Sequence, residues 1–239
     1  MNAFFEFNGR STLEFGMAVE SRPNQNAPKR RRTAISIPGR NGDLHYDEDA
    51  FENIDVTYNV WFRGGAPTPE QAHAVKSWLL SPKGYSRLED KYDPDRFRMA
   101  SFAGPMNISD ILGRYGRCKI KFDCDPRCFL KSGEFPVNLE NGGVLYNPTA
   151  FAAKPMIYIY GKGAGSLTVA GVTVTIHDMT TGMVLDCENE LARALGDVGQ
   201  SLDGDIYAPE FPDLQPGENR VTFSGGITAV QIIPRWWEP

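Results

Sequence analysis

Residues 54–62 read Ile54-Asp55-Val56-Thr57-Tyr58-Asn59-Val60-Trp61-Phe62. Apolar and polar side chains alternate along this stretch without a break. Ile54, Val56, Tyr58, Val60 and Phe62 therefore fall on one face of an extended chain, with Asp55, Thr57, Asn59 and Trp61 on the other. A helix would scatter the same residues around its circumference. The stretch is a half-buried strand, and it sets the expectation for the rest of the chain.

Its nearest echo lies at residues 117–124. There Cys118, Ile120, Phe122 and Cys124 alternate with Arg117, Lys119, Lys121 and Asp123, giving a second half-buried strand whose outer face is basic and which Asp125-Pro126 is expected to close. Towards the N-terminus, Phe4 to Phe7, the turn Asn8-Gly9 and a segment carrying Leu13, Phe15 and Val19 read as a hairpin, because Asn-Gly supplies the positive φ angles of a two-residue turn. Arg22 to Arg32 is rich in Pro and Asn and ends in Lys29-Arg30-Arg31-Arg32, which reads as a mobile loop or arm. That basic run is either a contact to phosphate or an acidic partner surface, or a solvated loop. Ile35 and Ile37 then precede the turn Pro38-Gly39-Arg40-Asn41-Gly42. No helix with a Gly-Lys-Ser/Thr start follows, so these glycines serve backbone geometry and are not a phosphate loop.

One helix is expected. Thr68 is an N-cap with Pro69 at the first helical position and Gln71 three residues on, while Ala72, Val75, Trp78 and Leu79 recur at helical spacing. The helix runs from Pro69 to Leu80 and ends at Ser81-Pro82-Lys83-Gly84. Ser86 to Leu88 and Phe97 to Phe102 are strands flanking the turn Tyr92-Asp93-Pro94-Asp95. From Lys131 to Ala153 the chain is rich in Gly, Asn, Pro and Ala, which marks a domain boundary and divides residues 1–132 from 133–239. Beyond it the pattern is almost wholly β: Met156 to Tyr160, Ser166 to Val169, Val172 to Ile176, Met183 to Asp186, Val221 to Phe223 and Ala229 to Ile233. Short strands at this spacing suggest a small sandwich or jelly roll.

Composition agrees. The chain has 239 residues, 41% of them hydrophobic and 11% aromatic, with 24 Gly and 17 Pro, which fits a turn-rich β protein with enough apolar side chains for a core. A formal net charge of -5 argues against a protein that grips nucleic acid by neutralising phosphate. There is no apolar run of membrane-spanning length and no secretory leader pattern at the N-terminus, so synthesis in the cytoplasm without Sec targeting and without a membrane is expected.

Few residues suggest chemistry. Cys118, Cys124, Cys128 and Cys187 lack the paired spacing of a zinc site and read as small hydrophobes on buried strand faces. His45, His73 and His177 are scattered, and a turn His177 beside Asp178 is a poor basis for a triad. Asp186, Glu188 and Glu190 lack the order of a calcium loop. No catalytic residue, metal ligand or cofactor is expected, although a wall hydrolase remains a minor reading. Exposed aromatics on a sandwich can stack on sugars, and Trp236 and Trp237, with Tyr158 and Tyr160, are the candidates for a carbohydrate-binding module recognising a cell-wall polysaccharide.

Several of these stretches, taken in order, resemble the distal tail proteins of siphophages. In the first half they are the opening Phe-x-Phe-Asn-Gly, Ile37-Pro38-Gly39-Arg40-Asn41-Gly42, the Trp78-Leu79 helix, Tyr92-Asp93-Pro94 and Phe122-Asp123-Cys124-Asp125-Pro126. In the second half they are Asn147-Pro148, Lys154-Pro155-Met156-Ile157-Tyr158-Ile159-Tyr160-Gly161, the Leu167-Thr168-Val169 hairpin and Phe211-Pro212-x-Leu214-x-Pro216-Gly217-x-Asn219. The resemblance implies a mainly β protein with one short helix in an N-terminal ring-forming, split-barrel-like β-belt domain, followed by a galectin-like C-terminal β-sandwich. It implies a structural protein of the virion tail tip and baseplate, part of the host adhesion device. As partners it implies a homohexamer, the major tail tube protein, the tail-associated lysin or tail fibre hub, and a receptor-binding protein, with the tape measure protein and DNA passing through the lumen. On that reading Trp61, Arg117, Lys119 and Lys121 are candidates for the ring interface, since ring closure covers strand faces and edges with a neighbour. The Lys29 to Arg32 run and the Trp236-Trp237 ending are where the chain departs from the pattern.

Overall fold

The computed structural model describes residues 3–24, 26–102, 104–106, 108–111, 115–197 and 199–239. Gln25, inside the expected loop, lies outside the described residues. The chain forms two units, Met1–Cys128 with Pro239, and Phe129–Glu238.

The first unit contains β1 (Phe5–Phe7), β2 (Arg10–Ser11), β3 (Met17–Val19), β4 (Arg30–Ile35), β5 (Leu44–Phe51), β6 (Ile54–Phe62), α1 (Pro69–Leu80), β7 (Ser86–Asp90), β8 (Arg96–Phe102), β9 (Ile108–Ile111) and most of β10 (Tyr115–Leu130). The main sheet runs β2-β1-β7-β8-β10-β6-β3. Ala3, just ahead of β1, bridges to Val19 of β3, with the Val19 N–H donating to the Ala3 carbonyl at 2.8 Å. The sheet thus curls until the stretch ahead of β1 meets β3, a barrel closed by this one bridge with β2 outside it. β6 and β10 pair antiparallel with Val56 opposite Phe122 and Val60 opposite Cys118, so both alternating faces point into one core. Phe5, Phe7, Phe15, Tyr58, Trp78 and Phe122 fill it, Phe15 stacking on Trp78 at 4.5 Å between ring centroids. The indole N–H of Trp78 donates to the Phe7 carbonyl at 2.9 Å, so α1 brings no unpaired donor into the core. The helix has the expected bounds, with the Thr68 and Gln71 side chains capping each other's backbone N–H groups.

Three local expectations for this unit are corrected. Thr12–Phe15 is a 3₁₀ turn, because Ser11 and Glu14 form a capping box that turns the chain before β3 begins. Of the loop or arm expected around the Lys29 to Arg32 run, the structure has a folded arm and not a loop: Arg30–Ile35 is a strand paired with Leu44–Phe51 as a separate two-stranded sheet. Asp125-Pro126 does not end its strand, since β10 continues to Leu130. Proline removes only a donor, and the Pro126 carbonyl still accepts from the Arg98 guanidinium at 3.0 Å.

The second unit contains β11 (Val137–Leu139), β12 (Val144–Asn147), β13 (Met156–Val169), β14 (Val172–Ile176), β15 (Gly182–Asp186), β16 (Leu191–Ala194), β17 (Ile206–Tyr207) and β18 (Gly217–Ile233). Stretches expected as separate short strands are the two halves of β13 and of β18. Met156 to Tyr160 pairs with Ile233 to Ala229 and with β15, whereas Gly165 to Val169 pairs with Gly225 to Val221 and with β14. The two long strands bend together, and each half belongs to a different layer. Glycine permits the corner: a Cβ on Gly225 would stand 2.6 Å from the Ala164 carbonyl oxygen, and one on Gly161 or Gly226 would come closer still to the backbone it faces. Ile157, Ile159, Leu167, Val169, Val174, Val221 and Ile232 are fully buried between the layers.

The Asn-Pro and Pro-Gly-x-Asn motifs of this half act as loop locks. Asn219, fully buried, donates to the carbonyls of Gln215 (2.8 Å) and Gly217 (3.0 Å) and accepts from the Gln215 N–H at 2.7 Å. Asn147 donates to the carbonyls of Phe151 (2.9 Å) and Leu214 (3.0 Å). Both satisfy loop backbone that would otherwise be buried unpaired.

Candidate interaction surfaces

β6 and β10 place Trp61 opposite Arg117, Asn59 opposite Lys119 and Thr57 opposite Lys121. Trp61, Arg117, Lys119 and Lys121 therefore share the outer face of the barrel, with Trp61 half-buried. Two of the three cations have partners within the chain: Arg117 lies 2.9 Å from Glu20, and Lys121 lies 2.8 Å from Asp55. Such exposed pairs hold a side chain in place more than they stabilise the fold. Lys119 has no ion-pair partner among the described residues.

The basic run finds its counter-charges inside the arm. Lys29 pairs with Glu52 at 2.9 Å, Arg30 with Asp47 at 3.4 Å, and the Arg30 guanidinium also lies over the Phe51 ring at 4.8 Å. Thr33 donates to Glu48 at 3.1 Å. β5 is acidic where β4 is basic, so a free phosphate-binding cluster is not what Lys29 and Arg30 provide. Arg31 and Arg32 are exposed, with no ion-pair partner among the described residues.

The arm also has a face that sequence reasoning missed. Thr33 lies opposite Tyr46 and Ile35 opposite Leu44, which puts Ile35, Leu44 and Tyr46 on one side of the hairpin, at 47%, 45% and 65% exposure. Arg32 with Asp47, and Ala34 with His45, occupy the other side. The signal was the Leu44-x-Tyr46 alternation across the turn from Ile35. It was obscured by the acidic residues around it.

The two tryptophans near the C-terminus differ in exposure, Trp236 being buried and Trp237 half-buried. Trp236 is 4% exposed within the sandwich core, so it has no ring face to offer a sugar. Trp237 packs on Phe151 at 4.8 Å and its indole N–H donates to the Ala152 carbonyl at 2.9 Å. Tyr158 and Tyr160 lie half-buried on β13, and the Tyr158 hydroxyl rests on the Met156 sulfur at 3.1 Å.

Reactive groups are equally committed. Cys118, Cys124 and Cys187 are buried, and burial pushes each thiol up to about 12, far from a nucleophile's range. Burial alone would raise the Asp186 carboxyl. Hydrogen bonds from Arg235 (2.7 Å) and Asn189 (2.8 Å), with the Arg235 charge, outweigh it and leave Asp186 below its ordinary value. Among the described residues no group of three or more His, Cys, Asp or Glu could hold a metal ion. A cavity of about 70 Å³ beside β6 to β8 is lined by Ile54, Tyr58, Leu88, Asp90 and Arg98. It has room for a few waters, whereas sites for organic ligands run to roughly 300 Å³ or more. The Tyr58 hydroxyl there donates to Asp90 at 2.8 Å, and burial first, then that carboxylate, raises its pKa well above the ordinary value.

The described residues form a barrel, an exposed amphipathic arm and a sandwich. The fold is that of a phage tail hub protein. Over 100% of both chains, with a TM-score of 0.75 and 12% sequence identity, it matches the crystal structure of the SPP1 Dit (gp 19.1) protein, described as a paradigm of hub adsorption apparatus in Gram-positive infecting phages. No protein-family model and no curated relative matches the sequence.

Proposed function

We propose that this chain is a structural protein of a bacteriophage tail, a hub whose first units close as six copies into a ring between the tail tube and the tail tip. The observation that carries this reading is the likeness in fold to the SPP1 hub protein, which runs through both units without a gap in coverage. The arm supports it. A lone two-stranded hairpin is marginal in water, and one that exposes Ile35, Leu44 and Tyr46 gains from a neighbour against which to lay that face. The outer face of β6 and β10, with Trp61 and Lys119, is the second contact surface, Arg117 and Lys121 being held by Glu20 and Asp55. In the virion the ring joins the major tail tube protein above to the tail-associated lysin or fibre hub, and through it the receptor-binding protein, below. DNA and the tape measure protein pass through the lumen without sequence-specific contact. With Trp236 in the core, the sandwich serves this assembly as a docking module and not as a sugar binder.

Light scattering on a sizing column with negative-stain imaging tests the proposal. A six-fold ring is expected for the full chain, alone or on addition of tail tube protein. Trp61→Asp, or Lys119→Glu with Lys121→Glu, should leave the thermal unfolding transition in place while reducing the ring to smaller species. Rings that persist in both variants would remove this face from the interface.

A further inference from the structure

Three Asn-Gly pairs occur in the chain, Asn8-Gly9, Asn41-Gly42 and Asn141-Gly142, and the fold treats them differently. Asn8 (φ 50°) and Gly9 (φ 72°) make the two-residue turn between Phe7 and Arg10, which are paired across β1 and β2. The Asn8 N–H also donates to the Arg87 carbonyl at 2.9 Å, so this backbone is clamped between the hairpin and β7. In the third pair the Asn141 side-chain oxygen accepts from the Phe223 N–H at 2.9 Å, and the Gly142 N–H donates to the Val221 carbonyl at 2.9 Å. The nitrogen that would attack is engaged, and the side chain is held in place by its oxygen. Asn41 and Gly42 stand at the tip of the arm, exposed, with nothing within 4 Å of the space a Cβ on Gly42 would fill. Among the described residues neither the Asn41 side chain nor the Gly42 N–H has a hydrogen-bond partner.

We propose that Asn41 is a site of spontaneous deamidation, and that it alone of the three Asn-Gly pairs reacts in the folded protein. The Gly42 backbone nitrogen attacks Cγ of Asn41 and gives up its proton. The bond from Cγ to the side-chain nitrogen breaks, and that nitrogen leaves as ammonia carrying the proton. The five-membered succinimide so formed takes up one water at either of its two carbonyls, yielding aspartate or, when the other bond opens, isoaspartate. Water is the only co-reactant. Glycine in the second position matters because it places no side chain in the path of the attack. The product carries a carboxylate at the arm tip, between Arg40 and Asp43, and makes each copy one unit more negative than the -5 of the fresh chain. The isoaspartate form also lengthens the backbone of the turn. None of this depends on the ring reading.

The full chain, aged at neutral and at mildly alkaline pH, is digested and its peptides separated by mass spectrometry. The peptide holding Asn41 should gain the mass of an amide-to-acid conversion, with isoaspartate the major product and a rate that rises with pH. In the folded chain it should convert at least about tenfold faster than the peptides holding Asn8 and Asn141, whose reaction must wait for local opening. In urea all three should convert at comparable rates, and Asn41→Gln should abolish the early mass gain. If Asn41 in the folded chain converts no faster than the other two, or if the early mass gain survives in Asn41→Gln, the assignment is wrong.

Discussion

At the glycine corner of the sandwich, single atoms decide the architecture. Gly226 lies so close to the Lys162 carbonyl that a methyl group cannot enter without moving backbone. Gly226→Ala should therefore cost on the order of 3 kcal/mol in a denaturation experiment, the scale of a strained core substitution. Gly142→Ala meets no neighbour, so its cost should come only from its positive φ of 87° and be smaller. The buried thiols give a second expectation at this scale. A thiol whose pKa rises from an ordinary 9.0 unfolded to about 12 folded holds its proton more tightly in the folded chain. Its stabilising contribution is complete below the unfolded value and is lost as pH rises towards the folded one. Unfolding free energy should accordingly fall between about pH 9 and 12, and Cys118→Ala with Cys124→Ala should flatten that fall. The inward parity of Cys118 and Cys124 was readable in the alternating pattern. The Ser11 to Glu14 capping box was also present in the letters, but Leu13 and Phe15 concealed it by falling at strand parity.

Elements differ in how far sequence reveals them, and the reason lies in where their stability comes from. α1 is legible because its cap, its first proline and its apolar spacing are all local. β6 is legible because one face meets a core and the other meets water. The arm is neither: β4 and β5 form an exposed two-stranded ladder flanked by the Lys29–Glu52 and Arg30–Asp47 pairs, and a segment such as Asp47-Glu48-Asp49 carries no β signal of its own. Its pairing appears only when the two halves are seen side by side. These contacts are exposed and screened by salt. Asp47→Lys with Glu52→Lys should raise hydrogen exchange across residues 30–51 while the main thermal transition stays where it is. A shift of the main transition would mean that the arm is coupled to the barrel core. β13 and β18 were misread for the opposite reason. Their glycine corners look like loops, and only long-range pairing makes each one continuous strand.

For the whole molecule, each unit has its own buried cluster, one around Phe122 and one around Ile157. Residues 1–128 and 129–239, produced separately, should each unfold cooperatively. Failure of either to fold alone would show that it depends on the other. The expected surface of Trp61, Arg117, Lys119 and Lys121 did gather on one face, because strand register follows from alternation. What stayed hidden was that two of its cations already have carboxylates at hand: Glu20 lies outside any local motif, and Asp55, though on the polar face of β6, meets Lys121 only through the strand register.

The closure of the barrel through Ala3 and Val19 bears on how such a molecule diverges. A sheet whose β1 end is bridged to β3 offers fewer bare amides and carbonyls along that seam for a stranger's strand to extend. Side chains on the outside of such a barrel are free to change while the strand register that holds it together stays the same. Two proteins can then keep the same fold while sharing 12% of their residues.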